Sequence, residues 1–199
     1  MGSLKNHADI QRNPGMDLDL DWVMSAQANT SAIERRAASF GARRSVKKSY
    51  QAAWLLKAIT CIDLTTLSGD DTNGRVLRLC AKAKTPVRAD IMAALGMDPI
   101  TTGAVCVYHD MIAPAVHALE GTNIPIAAVS TGFPAGLSPM PLRIAEIKAS
   151  VEAGAREIDI VISRRHVLTG NWQALYDEMK VFRAACGDVH VKAILATGE

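Results

Sequence analysis

The sequence predicts an α/β fold in which parallel strands alternate with helices, and it favours part of a (β/α)8 TIM barrel over an open doubly wound sheet. From residue 61 onward, short apolar runs rich in β-branched residues alternate with segments of helical spacing. Charged residues interrupt three of the five predicted strands, and the turn after the first strand lacks the glycine-rich GxGxxG pattern. Both features favour the barrel.

Three segments are predicted along the chain. Residues 1–16 are polar and show no periodicity, so they are predicted to be disordered. Residues 17–59 are predicted to form an N-terminal helical extension, and residues 60–199 an incomplete barrel of about five strands.

Two helices are predicted within the extension. Ser31 and Glu34 have the spacing of a capping box, in which each side chain accepts a hydrogen bond from a free backbone amide at the start of a helix. That helix should run to about Gly41. A second amphipathic helix is predicted over residues 50–58.

The barrel strands are predicted from the β-branched runs. They are residues 61–64, 104–108, 126–130, 157–162 and 189–196. Between the strands, apolar residues recur at helical intervals of three, four and seven, at Val76, Leu79, Cys80 and Ala83; Ile112, Val116 and Leu119; Ile144, Ile147 and Val151; and Leu175, Met179, Phe182 and Cys186. Gly121, Gly154 and Gly187 follow three of these helices and are expected to end them.

The interrupting charges are Asp63, Asp159 and Lys192. In a doubly wound sheet both faces lie under helices, and the strands are nearly continuous apolar runs. In a barrel, a charged side chain can instead point into the lumen. Asp159 alternates with the isoleucines of its strand and is therefore expected on the lumen face.

Asp159 and Lys192 are the residues whose chemistry the pattern suggests. A buried carboxylate is costly unless it is paired, or its pKa rises until it can act as an acid or base. Lys192 lies on the next predicted strand and shares a face with His190 and Ile194. Taken alone, the two residues fit either imine chemistry, with the lysine as nucleophile, or a structural ion pair that fills the barrel.

Six short strings narrow this choice. IDLTTLSGDDT (62–72), AVCVY (104–108), GFPAG (132–136), EIDIVI (157–162), LTGNW (168–172) and KAILATGE (192–199) occur in this order. Together they resemble deoxyribose-phosphate aldolases, above all the animal members with an N-terminal helical extension. The resemblance covers the chain from about residue 17 to the end of the fifth predicted strand.

The resemblance implies a class I aldolase that uses neither metal nor cofactor. Such enzymes cleave 2-deoxyribose 5-phosphate to acetaldehyde and glyceraldehyde 3-phosphate through a lysine Schiff base. The expected ligands are therefore a sugar phosphate and small aldehydes, in deoxyribonucleotide catabolism in the cytoplasm. Neither nucleic acid nor membrane is expected as a partner, and a homo-oligomer is left open.

The resemblance also implies roles for five residues of this chain. Asp159 matches the family's proton donor and acceptor, and Lys192 matches a lysine of the active-site charge network. Asp63 and Thr65 match residues that line the substrate pocket, and Cys106 matches a lumen residue close to the substrate. The resemblance thus overrules Lys192 as the nucleophile.

The family's Schiff-base lysine lies in a KTSTG motif on the sixth strand, and a second essential lysine lies in a GFKPAGG motif on the seventh. Neither string occurs in these 199 residues. We therefore expect this chain by itself to be inactive and to carry the acid–base partners without the nucleophile.

Other features of the sequence have simpler interpretations. Asp70 and Asp71 are expected to cap the first barrel helix rather than to bind metal, and the five histidines show no metal-ligand spacing. His109 follows CVY where the family usually has proline. A zinc-dependent aldolase is therefore unsupported.

Composition excludes little more. The chain has 49% hydrophobic residues and a net charge of +2, its first thirty residues lack the apolar core of a signal peptide, and no stretch is long enough to span a membrane. A soluble cytosolic protein is expected. The basic stretch from Arg35 to Lys48 leaves open an alternative, a catalytically inactive isoform that acts as a binding protein. A complete five-stranded doubly wound domain of other function is a further alternative.

Overall fold

The computed structural model describes residues 15–43 and 45–198. The chain divides into two compact units, Met1–Ala42 and Arg43–Glu199. The first unit contains α1 (Leu20–Ser25), α2 (Thr30–Ser39) and a 3-10 turn (Phe40–Ala42), and none of the residues in these elements is buried.

The helix predicted near residue 31 is present, but its predicted capping box is wrong. Asn29 caps α2, because its side chain accepts a hydrogen bond from the amide of Ala32 at 3.0 Å. Asparagine is among the best N-cap residues, so the helix begins at Thr30 and Ser31 lies within its first turn. The predicted disorder of residues 1–16 falls mostly outside the described residues.

The second unit begins with α3 (Lys48–Ile59) and continues with alternating strands and helices. Its strands are β1 (Asp63–Thr65), β2 (Ala104–Val107), β3 (Ile126–Ser130), β4 (Glu157–Val161) and β5 (His190–Ile194). Its further helices are α4 (Asn73–Lys84), α5 (Ala89–Ala94), α6 (Ile112–Leu119), α7 (Met140–Glu152), α8 (Arg164–Leu168) and α9 (Trp172–Ala185). A 3-10 turn (His109–Met111) precedes α6.

All neighbouring strands are parallel, and their order in the sheet is β1-β2-β3-β4-β5. A doubly wound sheet reverses its strand order at a switch point, whereas a (β/α)8 barrel adds each strand beside the previous one. The order therefore confirms the barrel architecture and excludes the doubly wound alternative. Among the described residues the sheet is open, with β1 and β5 at its edges.

Two apolar clusters lie on opposite faces of the sheet. The larger lies between the sheet and the helices, where Phe182, Ile147 and Ile158 are fully buried. Burying each such side chain contributes roughly 1.5–3 kcal/mol. The smaller lies on the inner face and consists of Cys106, Ala127 and Val129, with four partly buried neighbours, Leu67, Tyr108, Phe133 and Ile194.

The glycines expected to end helices do so in the left-handed conformation that favours glycine. Gly154 follows α7 with φ +110°, and a Cβ at this position would lie 2.9 Å from a methyl group of Val116. Gly121 and Gly187 follow α6 and α9 in the same region of φ.

The prediction that Asp70 and Asp71 cap the first barrel helix is wrong. Thr72 caps α4, with its hydroxyl 3.3 Å from the amide of Arg75. Asp71 instead accepts hydrogen bonds from the Ser68 amide and the Thr66 hydroxyl, so it shapes the loop before the helix. In the two described stretches, no helix is long and apolar enough to cross a membrane.

Candidate active site

The predicted site residues meet on the inner face of the sheet. Asp159 and Lys192 occupy equivalent positions in the middle of β4 and β5, where they are register partners. Their side chains share a face because neighbouring parallel strands align their pleats. Ile158 and Ile160 alternate with Asp159 and are fully buried on the helix side, as the strand pattern predicted.

An inner-face charge cluster forms around Lys192. Its ammonium group lies 2.9 Å from a carboxylate oxygen of Glu157 and 3.1 Å from Oδ1 of Asp159, and it also pairs with Asp63. Asp63 lies on β1 and Lys192 on β5, so the two edge strands of the sheet meet through this pair. The sheet is therefore curved around the cluster, as the wall of a barrel is.

The cluster holds three carboxylates and one cation, all partly buried. The side chains of Asp159 and Glu157 are 13% and 14% exposed, and those of Lys192 and Asp63 are 31% and 35% exposed. Burial by itself would lower the pKa of Lys192, but its hydrogen bonds to Asp63 and Glu157 and the charge of Asp159 raise that pKa above its usual value. Lys192 is therefore held as an ammonium ion.

The pKa of Asp159 is raised, whereas pairing with a cation ordinarily lowers the pKa of a carboxyl group. Burial raises the pKa of its carboxyl group, and the nearby ammonium of Lys192 only partly offsets this. The carboxyl group of Asp159 therefore keeps its proton to a higher pH than it would in water. A raised pKa of this kind favours a role of a carboxyl group in general acid–base chemistry.

The two oxygens of Asp159 differ in their surroundings. Oδ2 lies 3.5 Å from the thiol of Cys106, which donates a weak hydrogen bond to it. Oδ1 is buried and lies 3.1 Å from the ammonium group of Lys192. One oxygen of the carboxyl group therefore faces a weak thiol donor and the other faces a cation that is shared with two further carboxylates.

Cys106 is held as a thiol rather than a thiolate. Burial, together with the charge of Asp159, raises the pKa of Cys106 to about 12. A nucleophilic cysteine requires the opposite shift. The residue therefore acts as a neutral part of the lumen wall.

Thr65 lies apart from these groups. It is aligned with Cys106 in the sheet, but its hydroxyl donates to the backbone carbonyl of Asp63 at 2.8 Å, and its side chain is exposed. Of the five residues predicted for the site, the structure brings together Asp63, Cys106, Asp159 and Lys192.

Glu157 is the member of the cluster that the sequence interpretation missed. It lies two residues before Asp159, so strand alternation places it on the same face, and it is aligned with His190 in the sheet. This signal was available, but the first residue of a strand is commonly taken to be solvated. The structure shows that it is 14% exposed and contacts Lys192.

Metal ligation is not indicated within residues 15–43 and 45–198, where no group of three His, Cys, Asp or Glu residues has the arrangement of a metal site. His109 contacts the buried hydroxyl of Ser150, with its Nδ1 3.1 Å away.

The amino-acid sequence is similar to one family of known proteins. The model of the DeoC/LacD family aldolases matches residues 57–199. Deoxyribose-phosphate aldolase of Mus musculus is 59% identical over 189 residues, which are 93% of this chain and 59% of that protein. The chain thus spans about three fifths of the length of this curated relative.

Solved structures agree in fold. A protein from Coccidioides immitis that is provisionally named a deoxyribose-phosphate aldolase matches with a TM-score of 0.59 and 27% identity, over 71% of this chain and 50% of that one. The tetrameric deoxyribose phosphate aldolase of Aeropyrum pernix matches with a TM-score of 0.52 and 23% identity, over 70% of this chain and 53% of that one. The second likeness shows the fold alone.

Proposed function

Because the chain belongs to the DeoC/LacD family of aldolases, we propose that it provides the proton-transfer half of a deoxyribose-phosphate aldolase site. The reaction proposed is cleavage of 2-deoxyribose 5-phosphate to acetaldehyde and glyceraldehyde 3-phosphate. In this proposal Asp159 moves protons to and from the carbon and oxygen atoms of the substrate, and Lys192 belongs to the charge network that supports it.

The observation that carries the proposal is the state of Asp159. Its carboxyl group is largely buried, its pKa is raised by that burial, and the ammonium group of Lys192, 3.1 Å from its Oδ1, is shared with Asp63 and Glu157. A carboxyl group with these properties can give up a proton and take it back during one turnover. A purely structural ion pair is expected to match one carboxylate with one cation.

Lys192 is a poor candidate for the Schiff-base nucleophile. Imine formation requires a neutral amine, and the pKa of Lys192 is raised by the carboxylates of Asp63, Glu157 and Asp159. We therefore assign the covalent step to a lysine elsewhere in the complete site, as the resemblance implies. On this assignment the 199 residues alone do not catalyse the cleavage.

A chimera tests the role of Asp159. Residues 1–199 would replace the corresponding part of the mouse relative, which this chain matches over 59% of its length. The chimera should cleave 2-deoxyribose 5-phosphate, and Asp159→Asn should lower its kcat by about 10²–10⁴-fold, the usual contribution of a general acid–base. Glu152→Gln, at an exposed position at the end of α7, is the matched control. Undiminished kcat in the Asp159→Asn chimera would refute the role.

Reductive trapping tests the assignment of Lys192. With acetaldehyde and borohydride, the chimera should gain a stable adduct outside residues 1–199, and Lys192 should stay unmodified in both the chimera and the 199-residue chain. Peptide mass spectrometry locates the adduct. Labelling of Lys192 would contradict the assignment and restore the alternative suggested by the strand pattern.

The expected surroundings follow from the same proposal. Sugar phosphate and small aldehydes are the proposed ligands, and the cytoplasm is the proposed location. The four cysteines are free in the structure, and three of them are buried. Assembly into a homo-oligomer, and the absence of a nucleic-acid partner, stay predictions.

A further inference from the structure

The loop that follows β3 has a backbone that needs outside support. Thr131 has φ +62° and Gly132 has φ +77°, so two consecutive residues are left-handed. For a β-branched residue such as threonine this conformation is a genuine outlier. Thr131 is also completely buried. Conformations of this kind persist only where the surroundings hold them, and they concentrate near functional sites.

Two charged side chains of α7 hold the peptide group between these residues. Nε of Arg143 donates to the carbonyl oxygen of Thr131 at 3.0 Å. A carboxylate oxygen of Glu146 accepts from the amide of Gly132 at 2.8 Å. Both polar atoms of one peptide group are thus bound by charged partners one helical turn apart, and we call Arg143 and Glu146 the α7 clamp.

The Arg143 half of the clamp is itself fixed by its neighbours. Its guanidinium group also donates to Glu178 at 2.9 Å and to the carbonyl oxygen of Val161 at 2.9 Å. The Thr131 hydroxyl accepts from the amide of Val161 at 2.7 Å, which ties the loop to the end of β4. Within residues 15–43 and 45–198, no second hydrogen bond or ion pair is found for the side chain of Glu146, which is only partly buried.

The loop carries Phe133 to the inner face of the sheet. Phe133 packs against the apolar cluster that contains Cys106, and its ring meets that of Tyr108 edge to face at 5.9 Å. Cys106 in turn contacts Asp159. Phe133 therefore packs against the apolar cluster that includes the thiol partner of Asp159.

We propose that Arg143 and Glu146 are positioning residues: through the peptide group of residues 131–132 they hold Phe133 against the inner-face cluster that contains Cys106, the thiol partner of Asp159. The clamp then sets how much water and how large an aldehyde can reach Asp159. Only the statement about aldehydes rests on the proposed function. The mechanical statement, that the clamp keeps Cys106 covered, can be tested without any substrate.

The four cysteines of the chain are built-in reporters for this test. Cys106 is buried in the inner-face cluster against which Phe133 packs, Cys80 and Cys186 are fully buried on the helix side, and Cys61 is exposed. Their rates of alkylation by iodoacetamide at one fixed pH can be followed separately by peptide mass spectrometry. A local opening exposes Cys106 alone, whereas general loosening exposes the other buried thiols too.

The test variant is Glu146→Ala, because changes at the more deeply buried Arg143 would also break its pair with Glu178. Alkylation of Cys106 should accelerate about tenfold relative to Cys61, equivalent to roughly 1.4 kcal/mol in the opening equilibrium. Cys80 and Cys186 should keep their rates. Glu146→Gln, which retains an acceptor for the Gly132 amide, should restore most of the protection. Glu152→Ala, on the exposed end of α7, is the matched control and should leave all four rates unchanged.

Two results would overturn the proposal. If Cys106, Cys80 and Cys186 accelerate together, Glu146 stabilises the whole unit and does not position the loop. If Cys106 keeps its rate, the clamp does not hold Phe133 in place. Since no step involves substrate or turnover, neither result depends on whether the chain belongs to an active aldolase, and the chimera assay can fail or succeed independently.

Discussion

Two buried carboxyl groups, each beside a cation, have pKa values shifted in opposite directions. Burial raises the pKa of Asp159 on the inner face, and Lys192 does not fully compensate. Burial acts in the same sense on Glu178, yet hydrogen bonds from Ser163 and Arg143 outweigh it, and the pKa of Glu178 is lowered. The difference lies in how completely each carboxylate is satisfied.

Glu178 illustrates the satisfied case. One of its oxygens accepts from the Ser163 amide at 2.8 Å, and the other accepts from Arg143 and from the Ser163 hydroxyl. The Arg143 and Glu178 side chains are 4% and 3% exposed, and the guanidinium group lies 4.7 Å from the ring centroid of Phe182. Arg143 and Glu178 form a pair of one positive and one negative charge, and the pair links α7 and α9 to the ends of β3 and β4.

The inner-face charge cluster is unbalanced instead. Three carboxylates share one ammonium group, and the further hydrogen-bond partner of Asp159 is the weakly donating thiol of Cys106. Incomplete satisfaction costs stability, and it leaves a carboxyl group that can exchange a proton. The comparison predicts that the Arg143–Glu178 pair is needed for folding and that the inner-face charge cluster is needed for the reaction.

The largest effect is expected from breaking the structural pair. Arg143→Met leaves Glu178 buried without its cation and should cost about 3–5 kcal/mol in the free energy of unfolding. Guanidinium chloride denaturation followed by circular dichroism measures this. The double variant Arg143→Met with Glu178→Leu should recover only part of the loss: no buried charge then remains, but the carbonyls of Thr131 and Val161 and the amide of Ser163 still lack these partners. A single variant that loses less than about 1 kcal/mol would mean that the pair is not structural.

The sequence predicted the strands of the sheet far better than it predicted the contact between Arg143 and Glu178. The strand over residues 126–130 was predicted at its observed bounds, because a continuous apolar run is long enough to define both ends. The first strand was placed two residues early, since the amides of Cys61 and Ile62 still bond back to the end of α3 and pairing starts at Asp63. The fifth was predicted too long at both ends, and pairing covers only His190–Ile194.

Short helices and distant charge pairs escaped prediction for physical reasons. The helices α1, α5 and α8 have five or six residues each, too few to show an apolar period. Arg143 and Glu178 are 35 residues apart on two amphipathic helices, where a charged residue is ordinarily assigned to the solvated face. The meeting of Asp159 and Lys192 was predictable because strand alternation is exact, whereas contact of Asp63 with Lys192 depends on the curvature of the sheet.

A smaller effect is expected from removing the cation of the inner-face charge cluster. Lys192→Met keeps most of the side-chain volume but leaves three carboxylates together, and it should cost roughly 1–3 kcal/mol at pH 8, between the values for exposed and fully buried pairs. Without the ammonium group, the pKa of Asp159, which burial already raises, should rise further above its value in the unfolded chain. Stability that depends on a raised carboxyl pKa is present at low pH and is lost as the pH rises through the folded pKa.

The loss caused by Lys192→Met should therefore shrink as the pH is lowered toward 4. Parallel denaturation curves of the wild type and the variant between pH 4 and pH 8 measure the dependence. Arg88→Met, which removes a cation from an exposed pair with Asp90, is the control and should change stability little at any pH in this range. A loss for Lys192→Met that is constant with pH would show that packing of the lysine stem, and not its charge, supports the cluster.

The smallest effect is expected at Asp159, and its sign separates the two networks. The folded pKa of Asp159 is raised above its ordinary value of 3.8, so ionisation of this group costs stability as the pH rises through the folded pKa. Asp159→Asn imitates the neutral acid and should stabilise the chain at pH 8 by roughly 0.5–1 kcal/mol, a size common for replacing a functional group held in a strained environment. The gain should vanish below about pH 4, where the wild-type carboxyl group is itself protonated.

Glu178→Gln should have the opposite effect, since the lowered pKa of Glu178 stabilises the chain above pH 4.5 and that stability is lost as the pH falls. If Asp159→Asn destabilises the chain as Glu178→Gln does, Asp159 has a structural role like that of Glu178, and the proposed proton transfer loses its physical basis.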